Sequence, residues 1–76
     1  MKTVTVLIDT VDKVKEFVNT ITKFEADFDL VSGRYVIDAK SIMGIFSLDL
    51  SKRLELIIHT EEECDAVVDA LSPFII

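Results

Sequence analysis

Few side chains in this 76-residue sequence suit a reaction centre. They are one histidine (His59), one cysteine (Cys64), the carboxylates Glu25, Asp27 and Asp29 at every second position, and Ser41 with Lys40 before it. His59 closes the run Arg53-Leu54-Glu55-Leu56-Ile57-Ile58 and falls on its polar side with Arg53 and Glu55. An imidazole titrates in the range useful for proton transfer. No base or ligand set accompanies this one at recognisable spacing, so it reads as a solvent-side strand residue. Cys64 stands between Glu63 and Asp65. A reactive thiolate wants a basic neighbourhood, so this thiol reads as a small core hydrophobe. Glu25, Asp27 and Asp29 share the solvated face of an alternating segment, and calcium loops need a different, glycine-containing spacing. Ser41 heads an apolar stretch, Ile42-Met43-Gly44-Ile45-Phe46, and suits a helix cap. With no glycine-rich phosphate loop, Cys/His cluster or nucleophile–base pair in the sequence, no metal, no cofactor and no enzymatic activity are expected.

Composition narrows the classes further. Fourteen acids against eight Lys and Arg give a formal net charge of −6. Phosphate contacts dominate nucleic-acid affinity, so an acidic chain without a basic run is a poor nucleic-acid binder, and anionic membrane surfaces are disfavoured for the same reason. One cysteine forms no intramolecular disulfide. Thr3 to Ile8 is too short and polar for a signal-peptide core, and no apolar run approaches the ~20 residues that span a bilayer. The expectation is a soluble, cytoplasmic protein forming one domain over residues 1–76. Half of its residues are hydrophobic, which describes a folded chain rather than a tail.

Periodicity supplies the elements that must position these groups. Thr3-Val4-Thr5-Val6-Leu7-Ile8 is β-branched and partly alternating, predicting a strand over about Lys2–Ile8. Asp9 and Thr10 offer caps for an amphipathic helix, about Thr10–Lys23, with Val11, Val14, Phe17, Val18, Ile21 and Phe24 as its apolar stripe. Glu25 to Val31 alternates, with Ala26, Phe28 and Leu30 inward. Ser32-Gly33 turns the chain into a strand over Arg34–Asp38. Lys40–Leu48 reads as a short helix with Ile42, Ile45 and Leu48 inward and Met43 and Phe46 towards water. That is either a docking surface or a helix buried on more than one face. Arg53–His59 is the fourth strand, with Leu54, Leu56 and Ile58 inward. Thr60 and Glu63 have the spacing of a capping box for a last helix, about Glu61–Leu71, buried through Cys64, Val67, Val68 and Leu71. Phe74-Ile75-Ile76 is an apolar tail that must pack or associate. The order βαββαβα predicts an α+β open-faced sandwich, a four-stranded antiparallel sheet with three helices on one face.

Several stretches resemble HPr, the histidine-containing phosphocarrier family of the bacterial sugar phosphotransferase system. Lys40-Ser41-Ile42-Met43-Gly44 with Ser47-Leu48 is similar to the entry of that family's second helix. Thr22-Lys23-Phe24, Ser32-Gly33-Arg34, the Leu54–Ile58 strand, and Glu61-Glu62 with Ala66 follow in register. The resemblance implies the same βαββαβα fold. It also implies a regulatory phosphorylation site at Ser41, with Lys40 beside the phosphate, and docking of partner proteins through Ile42, Met43 and Phe46. The partners implied are those of the phosphotransferase network: enzyme I, a permease component or an HPr kinase-like protein. Family members carry a histidine at the cap of the first helix, followed by an arginine and a proline. The corresponding stretch here, Asp9-Thr10-Val11-Asp12-Lys13-Val14, has none of the three. The expectation is an HPr-like domain that does not carry phosphate on histidine and acts as an interaction or regulatory module. The alternatives are a phosphocarrier using His59, or a scaffold that self-associates through Phe74-Ile75-Ile76.

Overall fold

Alternation along four segments is what builds the sheet, and a computed structural model describes it over residues 1–76. In chain order the elements are β1 (Lys2–Val6), α1 (Val11–Ile21), β2 (Asp27–Ser32), β3 (Tyr35–Asp38), α2 (Ile42–Phe46), β4 (Leu54–His59) and α3 (Cys64–Ala70). The strands form one antiparallel sheet in the order β1-β4-β2-β3. Val4 faces Leu56 and Val6 faces Leu54 across β1–β4, while Phe28 faces Ile58 and Leu30 faces Leu56 across β2–β4. Residues directly opposite share a face, so these apolar positions make one continuous inner surface.

The helices close that surface. Val14, Phe17 and Ile21 of α1 recur at i, i+3 and i+7 and are fully buried, as are Ile45 of α2 and Val67 of α3. Each such side chain contributes roughly 1.5–3 kcal/mol by leaving water. The α1 stripe is shorter than its sequence pattern suggests, because Val11 in the first turn stays 55% exposed. The tail packs inside the molecule. Phe74 is 5% exposed and meets Phe17 edge-on, with ring centroids 5.8 Å apart. Leu7 N–H donates to the Phe74 carbonyl at 2.9 Å, Ile75 bridges Val6, and Ile76 N–H donates to the Thr5 carbonyl at 3.1 Å.

The capping box does not form. α3 begins at Cys64, its cap residue is Glu63, and no side chain bonds the cap. Residues Glu61 to Glu63 are bends. Most helix stability comes from packing an apolar face, and this segment has no apolar residue before Cys64, so the helix starts where burial starts. α2 is likewise shorter than expected, with Ser41 and Ser47 as its caps. No helix is long and apolar enough to cross a membrane.

Candidate functional site

Three places carry the side chains singled out from the sequence. The first is the entry of α1. Thr10 is the N-cap, extended at φ −131° and ψ 157°, and its Oγ1 accepts from Lys13 N–H at 3.1 Å. Lys13 Nζ donates to Asp9 Oδ1 at 3.1 Å. The Lys13 side chain holds the Asp9 carboxyl below its ordinary pKa. Asp12 adds a second carboxylate in the first turn. Carboxylates suit the positive end of a helix dipole, but they offer no imidazole, and they repel an approaching phosphoryl donor.

The second place is α2. Ser41 caps it from an extended conformation, φ −90° and ψ 99°, with Oγ accepting Gly44 N–H at 3.3 Å. The glycine is there for space: a Cβ at Gly44 would lie 3.2 Å from Ser41 Oγ and 3.3 Å from Ile37 Cδ1. Ile45 is wholly buried and Ile42 partly so, while Met43 is 78% and Phe46 42% exposed. One side of the helix therefore serves the core and the other presents apolar side chains to water. Lys40 sits in the turn before the cap. Its backbone N–H donates to Asp38 Oδ1 at 3.0 Å, and its ammonium donates to the Phe24 carbonyl at 2.8 Å, with the Phe28 ring centroid 5.5 Å away.

The third place was not visible in the sequence. His59 pairs across the β2–β4 ladder with Asp27, and its Nε2 lies 2.8 Å from Asp29 Oδ2. Asp29 in turn faces Asp38 on β3. With Phe28 these four residues line an open cavity of about 430 Å³ on the outer face, yet no three of the ligating side chains are placed to hold a metal ion. The residues are distant in sequence, and only the β1-β4-β2-β3 order brings them together. That same order keeps His59 from the head of α1. β1 leads into α1 from Val6, which pairs with Leu54 at the start of β4, whereas His59 is at the other end. Five residues of strand make roughly 16 Å, and the imidazole is on the opposite face. Cys64 is a free thiol, partly buried against the core.

A β1-β4-β2-β3 sheet with three helices, two of them entered through hydroxyl caps at Thr10 and Ser41, defines a small α+β protein of the phosphocarrier type. The chain belongs to the HPr family: the family described as "PTS HPr component phosphorylation site" matches residues 12–76. Among solved structures, HPr from Thermoanaerobacter tengcongensis is 30% identical. It superimposes with a TM-score of 0.79, over 96% of this chain and 89% of that one. The phosphocarrier protein HPr from Bacillus anthracis, 22% identical, shares the fold with a TM-score of 0.73 over 99% and 94% of the two chains. No curated protein sequence matches the chain. HPr is a phosphocarrier of the phosphotransferase system rather than an enzyme in the usual sense, and proteins of its family interact with other components of that system.

Proposed function

We propose that this HPr-family domain works in the cytoplasm as an interaction or regulatory module and does not carry phosphate on a histidine. The observation that carries the reading is the α1 entry. Asp9, Thr10 and Asp12 occupy it, with Thr10 accepting from Lys13 N–H and Asp9 paired with the Lys13 ammonium, and none of them is an imidazole that could hold a labile phosphoryl group. The match to the family begins at Asp12, inside the first turn of α1. The docking half of the reading rests on α2, where Met43, Phe46 and the partly buried Ile42 form an apolar contact surface. Ser41 is its regulatory phosphorylation site. A phosphate there would meet the free N–H groups of the helix start, and Lys40 would have to leave the Phe24 carbonyl to reach it.

The second reading keeps phosphocarrier activity, with His59 as acceptor. The Asp29 bond favours it to the extent of orienting the ring. Asp27, Asp29 and Asp38 around it oppose the approach of a dianionic donor. Titration of isotope-labelled protein with enzyme I, with a permease component, or with an HPr kinase tests the docking surface by resonance shifts. Shifts centred on Ile42, Met43 and Phe46, lost in Met43→Glu, support it. Shifts centred on the His59 face contradict it.

A further inference from the structure

The two marginal strands of the sheet are treated differently. β1 is covered along part of its free side by the C-terminal residues, through the Ile75–Val6 bridge and the Ile76–Thr5 hydrogen bond. β3 has nothing on its outer side. Ala39 N–H donates inward to the Phe28 carbonyl at 2.9 Å. Inward and outward backbone groups alternate along an antiparallel strand. Tyr35, Ile37 and Ala39 therefore bond towards β2, and the backbone groups of Val36 and Asp38 point away from the sheet. Natural edges are commonly blunted by lysine, proline or a bulge. This one carries Tyr35 and Val36, 70% and 60% exposed.

Its charges are unbalanced within one molecule. Asp38 stands directly opposite Asp29, and like charges in that position repel. No lysine or arginine side chain pairs with either; the salt bridges of the chain join Met1 to Glu61, Lys13 to Asp9, Lys52 to Asp49 and His59 to Asp29. Arg34, at the hairpin turn, pairs with none of its own acids. It is four residues before Asp38 in the sequence, in the turn that leads into β3.

We infer that β3 pairs antiparallel with β3 of a second copy of this chain, about a two-fold axis through Val36, joining two sheets into one of eight strands. A strand laid against its own copy in that register sets Val36 against Val36, Tyr35 against Ile37, and Arg34 of each copy against Asp38 of the other. The backbone groups left free at Val36 are the ones this register pairs. Each Arg34 arrives at the end of the Asp38–Asp29 row that lacks a cation in the single molecule. Both faces of the seam are then complementary, one apolar through Tyr35 and Ile37, one with opposite charges flanking a valine pair. An edge of four residues makes a small interface, so the dimer is weak and depends on concentration.

Sedimentation velocity at low ionic strength, up to about 1 mM protein, tests this. The average mass is expected to rise from monomer towards dimer with concentration, and to fall back when salt is added. Arg34→Asp alone and Asp38→Arg alone are each expected to stay monomeric. An equimolar mixture of the two regains the dimer, because every seam contact then joins an acid to a base. Asp38 also accepts a bond from Lys40 N–H, so Val36→Pro provides an independent arm: it deletes the outward N–H and is expected to give a folded monomer. A mass that stays monomeric to 1 mM overturns the proposal. So does a dimer that persists in Val36→Pro, or a charge-swapped mixture of two folded variants that does not associate.

Discussion

His59 Nε2 lies 2.8 Å from Asp29 Oδ2, on the face of the sheet turned away from the core and at the end of β4 remote from α1. The chain's one imidazole is thus bound to a carboxylate and is remote from the head of α1. Both side chains are more than a third exposed, and half-exposed ion pairs contribute little. Asp29→Asn loses that contact and also the repulsion from Asp38 opposite, so it is expected to change stability by less than about 1 kcal/mol in urea denaturation, with the fold and the α2 surface unchanged.

The C-terminal residues are part of the core. Phe17 and Phe74 are both buried and in edge-to-face contact. Truncating a buried Phe to Ala costs about 3–5 kcal/mol, and a domain of this size has only on the order of 4–11 kcal/mol in total. Phe74→Ala is expected to lower the denaturation midpoint sharply. Removal of residues 74–76 is expected to do at least as much, without the change in mass that a tail-mediated assembly would require.

Much of this architecture was legible in the sequence, and the parts that were not share a cause. The order βαββαβα, the inward sets Phe28/Leu30 and Leu54/Leu56/Ile58, and the split of α2 into buried Ile45 and exposed Met43 all follow from local spacing. The α3 start did not follow, because Thr60 and Glu63 have capping-box spacing but no apolar face beneath them to hold the first turn. The His59–Asp29 pair joins residues thirty positions apart and depends on which strands are neighbours, which periodicity does not encode. The tail's need for a partner was evident from its composition; that β1 and Phe17 supply it required the sheet order.

Ser41 is expected to contribute as a cap whether or not it is ever phosphorylated. Its Oγ accepts Gly44 N–H at the head of a five-residue helix. Replacing such a cap by alanine costs about 1 kcal/mol, while aspartate is as good a cap as serine. Thermal melts should therefore rank wild type and Ser41→Asp together, with Ser41→Ala below both.

Two carboxylates set an acid limit. The Lys13 side-chain bond lowers the pKa of Asp9, and the Ser51 hydroxyl followed by the Ser51 N–H lowers that of Asp49, both from an ordinary 3.8. A folded-state pKa below the unfolded one stabilises the fold above the unfolded value, and that contribution is lost as pH falls through the folded value. The melting-temperature difference between wild type and Asp9→Asn or Asp49→Asn should therefore be constant near neutral pH and close below about pH 3.8. A difference that instead grows on acidification contradicts these assignments.

The central claim is that this chain carries no phosphoryl group on a histidine: the head of α1 has none, and His59 does not take its place. Incubating the full chain with enzyme I and labelled phosphoenolpyruvate, beside an HPr that has its histidine, tests it most directly. The account predicts label on enzyme I and on the control, and none on this chain. Acid-labile label on His59 would contradict it, and loss of that label in His59→Ala would establish the competing reading.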